Sequence, residues 1–146
     1  MIGKLLGIDH GLVRIGLAVS DASGLVAREL TIIHRKSKRE DFEKINRIAA
    51  EQNVVALVVG LPSNLDMPPE AFTQEHKVRN WVEYLKQTTS LPIIFWDEQM
   101  TSEDAKALAR LQRRKSTDPI DDLAARVILQ SYLDALRDGL AEPPGE

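Results

Sequence analysis

Three acidic residues lie where secondary-structure elements are predicted to end or begin. Asp9 closes an apolar strand, Glu98 closes a later strand, and Asp121 opens a helix. Carboxylate oxygens are the ligands that hard divalent cations prefer in proteins. Two such cations, roughly 4 Å apart, can activate a water and stabilise the leaving oxygen in phosphodiester hydrolysis. The three acids are therefore candidate metal ligands and candidate catalytic residues.

Asp9 and Asp121 each have an alternative role that needs no metal. Asp9 could initiate a turn with Gly11, although its strand is otherwise apolar and a buried unpaired charge is costly. Asp121 lies in a predicted first helical turn, where the macrodipole stabilises carboxylates. It also shares a helix stripe with Ala125 and Ile128, so it borders the side that faces the core. This second position favours the functional role.

For the third candidate ligand, the residues alone do not decide between Asp97 and Glu98. Alternation along a strand sends neighbouring side chains to opposite faces, and either one could face the site. A solvated strand end is the structural alternative for Glu98, because glutamate is usually exposed. The same alternation sends His10 to the face opposite Asp9, which predicts a packing or surface role for His10 rather than metal ligation.

Composition predicts one soluble domain. The chain has 146 residues, of which 43% are hydrophobic and 28% charged, and it has no membrane-spanning run. No leader pattern opens the sequence, so we expect a cytoplasmic protein with no membrane partner. The absence of cysteine excludes disulfides, thiolate metal sites and cysteine nucleophiles. A formal net charge of -3 means that nucleic-acid binding would need local basic clusters.

Such clusters occur in two segments. One precedes the first predicted helix at residues 35–39, and the other lies in the loop ahead of Asp121. Either could be only a solvated surface, but lysine and arginine also hold phosphate backbones without reading sequence. The first hairpin and the loop after the central strand add further candidates. The candidate nucleic-acid-binding residues are Arg14, Asn64, Arg110, Arg113, Arg114 and Lys115.

The predicted elements that carry these residues form a mixed α/β domain. Strand-like runs at 4–10, 13–20 and 25–33, separated by short glycine-containing turns, predict an antiparallel meander. A strand over 54–60 is apolar on both faces, which is typical of a central parallel strand. Residues 1–140 are predicted to form a single domain and 141–146 a disordered tail. The other predicted elements are a helix ending near Asn53, a helix over 71–88, a strand over 93–96, a helix over 101–111 and a last helix from Asp118-Pro119 to near Gly139.

This order of elements resembles the ribonuclease H-like fold, and four motifs carry a more specific resemblance. The motifs are GIDHGLVRIGLAVSD over 7–21, VVGLPSNLD over 58–66, PIIFWDEQMTS over 92–102 and IDDLAARVILQSYL over 120–133. They are similar to the YqgF family of bacterial Holliday-junction-resolvase-like proteins, also described as pre-16S rRNA nucleases. The resemblance covers nearly the whole chain. It implies a mixed five-stranded sheet, an antiparallel meander followed by parallel strands, with helices on both faces.

The resemblance assigns Asp9, Glu98 and Asp121 as a catalytic and metal-binding triad for Mg²⁺ or Mn²⁺. It implies a metal-dependent nuclease for structured nucleic acid, foremost 5′-end maturation of pre-16S rRNA. One alternative is a Holliday junction resolvase acting on branched DNA, which would need a two-fold dimer; the sequence leaves monomer or homodimer open. Another is a non-catalytic RNA-binding ribosome-assembly factor. Gln99 favours that alternative, since it replaces an arginine common in the family and so removes a cation that could donate hydrogen bonds to a phosphate.

The segment Gly7 to Gly11 also resembles the phosphate loop of sugar-kinase and actin-like ATPases. Those proteins close two domains around a nucleotide, whereas this chain has the length of one domain. A kinase-like function is therefore disfavoured.

Overall fold

The chain folds into a five-stranded sheet with helices on both faces. The computed structural model describes residues 2–62, 69–98, 101–115 and 117–145, with backbone alone at 69–73, 98 and 101–103. Within these ranges, none of the helices is long and apolar enough to cross a membrane. The elements are β1 Lys4–His10, β2 Arg14–Ser20, β3 Ala27–His34, α1 Lys38–Gln52, β4 Val54–Pro62, α2 Pro69–Lys86, β5 Ile93–Glu98, α3 Thr101–Leu111 and α4 Asp121–Arg137.

The strand order in the sheet is β3-β2-β1-β4-β5. The first three strands pair antiparallel as a meander, and β4 pairs parallel with both β1 and β5. This arrangement confirms the predicted mixed sheet with β4 in a central position. Because β1, β4 and β5 run in the same direction, their carboxyl ends meet at one edge of the sheet.

Alternation along β4 shows why the sheet needs helices on both sides. Leu57 and Val59 face a core that includes Phe42 of α1 and Trp81 of α2. The intervening Val58 faces a second core formed with α4. Helix α3 packs against α4 through a smaller apolar cluster. Both faces of the central strands are thus covered, as expected for a buried parallel strand.

Two glycines let α4 lie directly on the sheet. A Cβ atom added at Gly16 of β2 would be 1.8 Å from the carbonyl oxygen of Asp121. A Cβ added at Gly7 of β1 would be 2.8 Å from Leu129 Cβ. The absence of a side chain at Gly16 brings the first turn of α4 into contact with β2, and its absence at Gly7 brings the middle of the helix into contact with β1.

The start of α4 was predicted incorrectly. The helix begins at Asp121, and its N-cap, Ile120, makes no side-chain capping bond. Asp118, the predicted cap, instead closes the preceding turn, where its carboxylate accepts a hydrogen bond from Lys115 N at 2.7 Å. Local side-chain to backbone bonds of this kind compete with helix capping. The helix therefore starts two residues later than predicted, where the chain reaches the sheet.

The chain that follows α4 returns to the body of the protein. The Tyr132 hydroxyl donates to the Glu142 carbonyl oxygen at 2.6 Å, and burial raises the pKa of this tyrosine. The single domain over 1–140 and the disorder of 141–146 stay predictions.

Candidate active site

Asp9 lies at the carboxyl end of β1, on the sheet face that α4 covers. Alternation places it on the same face as Gly7, which abuts Leu129 of α4. In the β1–β2 register Asp9 is opposite Gly16, and Gly16 contacts the backbone of Asp121. The register and the close approach of the helix therefore bring Asp9 and Asp121 to one end of the sheet.

The Asp121 carboxylate lies over the turn between β1 and β2. Its Oδ1 atom is 3.7 Å from the position that a Cβ on Gly11 would occupy. Its Oδ2 atom accepts a hydrogen bond from Arg14 Nε at 2.8 Å, and this side chain is only 19% exposed. Asp121 is therefore a largely buried carboxylate with a cationic partner, rather than simply an acid in a solvated helical turn.

The third predicted acid lies at the same edge of the sheet. Glu98 ends β5, where its backbone pairs with Pro62 of β4, and its side chain is outside the described part of the protein. Asp97, the competing residue, alternates onto the face of Phe95, which packs with the α1 and α2 core. That face is opposite to the one that carries Asp9. Asp97 is thus on the wrong side of the sheet to join Asp9.

The described side chains contain no group of three histidine, aspartate or glutamate residues that could hold a metal. Asp9 and Asp121 are the two members of the predicted triad that are described in full. A three-carboxylate site therefore depends on Glu98, and the triad stays a prediction.

Asp122 follows Asp121 but has a different partner. Its two oxygens accept from Arg114 Nη1 and Nη2 at 2.8 and 3.0 Å, and Leu123 N donates to Oδ1 at 2.9 Å. The two bonds to Asp122 raise the pKa of Arg114. Arg114 also donates to the carbonyl oxygen of Pro119 at 3.1 Å, so the pair ties the loop before α4 to the helix.

Asp122→Asn is expected to lower the free energy of unfolding by roughly 1–3 kcal/mol, because it leaves the largely buried Arg114 guanidinium without its counter-charge. Asp121→Asn, one residue earlier, should cost less stability, since its partner Arg14 is 37% exposed and can be solvated. Urea unfolding of both variants measures the difference. Equal destabilisation would contradict this assignment of a structural role to Asp122.

The other predicted nucleic-acid-binding residues are placed around the same end of the domain or outside the described ranges. Arg110, Arg113 and Lys115 are exposed at and after the end of α3. A groove of about 380 Å³ lies there, lined partly by Arg110, Arg114 and Lys115. Arg14 contacts Asp121 directly, whereas Asn64 lies outside the described residues.

Arg35 has a structural role that the sequence analysis missed. Its Nη1 atom donates to the carbonyl oxygen of Gly11 at 2.9 Å and to that of Leu12 at 3.4 Å. Its Nε atom is 3.9 Å from the buried carboxylate of Asp41. In the sequence Arg35 was counted only within a basic cluster. No local pattern indicates that its guanidinium braces the β1–β2 turn.

His10 packs away from the acids, as alternation predicted. Its ring centroid is 4.7 Å from that of Trp81, and burial together with the charge of Arg35 lowers the pKa of His10 to about 4. Its Nε2 atom is buried without a hydrogen-bond partner among the described residues. A neutral imidazole on the α2 side is consistent with packing rather than metal ligation.

Comparison with known proteins identifies the family of this chain. A family model described as "RuvX: Holliday junction resolvase" matches residues 3–135. A relative from Thermoanaerobacter pseudethanolicus is 43% identical over 138 residues, covering 90% of this chain and 96% of the relative. Another from Clostridium novyi is 39% identical over 136 residues, covering 91% and 99%. Both are named "Putative pre-16S rRNA nuclease".

Solved structures agree on the architecture. Thermus thermophilus RuvC in complex with a Holliday junction substrate matches with a TM-score of 0.67 at 15% identity, covering 97% of this chain and 99% of the other. The fowlpox virus resolvase in complex with Holliday junction DNA matches with a TM-score of 0.52 at 11% identity, covering 91% and 98%. At these identities the likeness shows the fold alone, and it confirms the predicted ribonuclease H-like class.

Proposed function

Because this chain belongs to the RuvX family, the YqgF family predicted from its four motifs, we propose that it is a metal-dependent nuclease that cleaves structured nucleic acid. The observation that carries the proposal is the meeting of Asp9 and Asp121 at one end of the sheet. Two carboxylates from distant parts of the chain are held there by a glycine contact. Arg14, whose guanidinium can contact phosphate, lies beside Asp121.

Asp9, Glu98 and Asp121 would hold Mg²⁺ or Mn²⁺. The donor set is chemically suitable, since both ions prefer carboxylate oxygens, and the Asp121 carboxylate already accepts a cationic partner, Arg14. When bound, such an ion lowers the pKa of a water and offsets the charge of the leaving oxygen. The role of Arg14 is to position a phosphate next to the carboxylates, because its side chain is 37% exposed and its guanidinium can bond phosphate oxygens.

The proposed substrate is a precursor of 16S rRNA, cleaved at its 5′ end, and the proposed location is the cytoplasm. The names of the curated relatives support this choice. The second candidate is a branched DNA junction, which the family description favours. A resolvase would cut two strands symmetrically as a two-fold dimer. The molecular mass of the protein in solution, measured with and without a junction, therefore tests that candidate, which requires a dimer.

The experiment that tests the proposal is cleavage of two labelled substrates, a structured rRNA precursor and a four-way DNA junction, with Mg²⁺, Mn²⁺ or EDTA. We expect metal-dependent cleavage of the rRNA precursor. Cleavage of the junction alone would instead support the second candidate. Binding without cleavage of either substrate would overturn the nuclease function and favour a non-catalytic assembly factor.

Arg113 offers a separate test of the basic cluster in the loop ahead of Asp121. Its φ is 58°, a left-handed conformation in which a non-glycine side chain is disfavoured. Arg113→Gly is therefore expected to raise the free energy of unfolding by roughly 0.5–1 kcal/mol, because relief of the left-handed penalty exceeds the extra entropy that glycine gives the unfolded chain. It should also weaken nucleic-acid binding and reduce the salt slope of log K by about 1, because one phosphate contact is lost.

Urea unfolding and the affinity measured across a salt series separate these two effects of Arg113→Gly. Arg47→Gln, which removes an exposed arginine from α1, serves as the control and should leave the affinity unchanged. An unchanged affinity and salt slope in Arg113→Gly would remove Arg113 from the nucleic-acid interface.

A further inference from the structure

The tip of the β1–β2 hairpin carries two exposed apolar side chains. Leu12 is 62% exposed and Val13 64% exposed, in the turn between Gly11 and Arg14. We propose that these two residues, called the apolar prong, insert against the bases of the bound nucleic acid next to the cleaved linkage. The prong would select substrates with an unstacked or easily unstacked step, such as a branch point or bulge. This inference rests on the proposed function and names the substrate feature that the site prefers.

The position of the prong next to the candidate active site is the first argument. The turn is closed by a hydrogen bond from Gly11 N to Arg14 O at 2.9 Å. Asp9 precedes this turn in β1, and Arg14, which follows it, contacts Asp121. A nucleic acid whose phosphate lies at Arg14 and the carboxylates therefore has its adjacent base step near the prong.

The second argument is that the prong is held in place from behind. Arg35 Nη1 donates to the carbonyl oxygens of Gly11 and Leu12, at 2.9 and 3.4 Å. The backbone N–H of Arg35 donates to the carbonyl oxygen of Val13 at 2.9 Å. A tip fixed by three bonds loses little conformational entropy when it inserts, which favours a wedge over a flexible surface loop.

The charge around the prong favours nucleic acid as its occupant. Arg14 and Arg35 flank the two apolar residues, and Lys36 continues the basic segment along the chain. In a nucleic acid the phosphates would pair with these cations, and the bases would contact the apolar tip. Leucine and isoleucine side chains are known as wedges that unstack base steps at a cost of about a few kcal/mol. That cost is least for a base that is already unpaired, which is the physical origin of the expected selectivity.

The test measures base unstacking without requiring cleavage. A 2-aminopurine is placed at the branch point of a junction or at a bulge in an RNA duplex, and its fluorescence is followed during binding in EDTA. A continuous duplex of the same sequence is the reference substrate. We expect wild-type protein to increase the fluorescence of the branched or bulged substrate and to bind it more tightly than the continuous duplex.

The double variant Leu12→Ser, Val13→Ser should lose the fluorescence increase, and its preference for the distorted substrate should fall about tenfold. Leu140→Ser is the matched control, since Leu140 is 78% exposed at the opposite end of the chain. The thermal unfolding midpoint checks that the double variant is folded. A second variant, Leu12→Ile with Val13→Ile, keeps the apolar tip and should retain both effects.

A double serine variant that keeps the fluorescence increase and the preference would overturn the proposal, as would wild-type protein that causes no increase. The apolar prong would then be assigned to contact with a protein partner instead of nucleic acid. Because the measurement uses EDTA, failure of the nuclease function, detected by cleavage in Mg²⁺, is distinguishable from failure of the prong.

Discussion

Asp9→Asn is expected to reduce metal-dependent cleavage by about a thousandfold or more while leaving the protein folded. The change keeps the size of the side chain but removes the negative charge that a divalent cation requires. Asp9 lies at the carboxyl end of β1 opposite Gly16, next to the start of α4. Single-turnover cleavage with Mg²⁺ measures the rate, and calorimetric titration of the same cation measures its affinity.

The matched control is Asp97→Asn, which removes a carboxylate from the same edge of the sheet. Asp97 lies on the face of Phe95, away from Asp9, so this variant should cleave at nearly the wild-type rate. Glu98→Gln, at the next position, is expected to behave like Asp9→Asn. Full activity in Asp9→Asn would place the catalytic centre elsewhere, and loss of activity in Asp97→Asn alone would transfer the third ligand to that residue.

The second large effect is expected at Gly16, where a single added carbon should disturb both stability and activity. A Cβ atom there would lie 1.8 Å from the carbonyl oxygen of Asp121 and 2.2 Å from its carbonyl carbon. Both are backbone atoms, so no rotamer change can relieve the overlap, and the first turn of α4 must move. We expect Gly16→Ala to lower the free energy of unfolding by about 3 kcal/mol. Cleavage should also fall, because Asp121 shifts relative to Asp9.

Two further glycine variants calibrate this result. Gly7→Ala would place its Cβ 2.8 Å from the side chain of Leu129 and 3.0 Å from the carbonyl oxygen of Ala125, so we expect a smaller loss of stability. Gly145→Ala meets no atom within 4 Å and should change nothing. Urea unfolding ranks the three variants. Wild-type stability in Gly16→Ala would show that α4 is not held against β2 by this contact.

Much of the architecture was predictable because its signals are local. The apolar run from Val54 has no polar face, and a strand of that kind is stable only between two layers, which is where β4 lies. Short turns between the first three strands allow only neighbouring antiparallel partners. The four motifs predicted the family, which the family match and the curated relatives confirm.

The roles of neighbouring charges were less predictable. Asp121 and Asp122 are adjacent and identical in type, yet one contacts Arg14 of β2 and the other pairs with Arg114. Arg35 braces a turn that is distant in sequence, although its local context suggested only a basic surface. In each case the partner comes from another element, so the contact forms only when the elements have packed.

The amino-acid sequence by itself determined the fold class, the family and the alternation of side chains along each strand and helix, because the periods of strands and helices are properties of short segments. Tertiary structure alone decided where α4 begins, that Asp97 lies on the face opposite Asp9, and which arginines are engaged in internal ion pairs. Those outcomes depend on contacts between residues far apart in the chain. The free energies of these contacts depend on distances and burial, which a local sequence pattern does not specify.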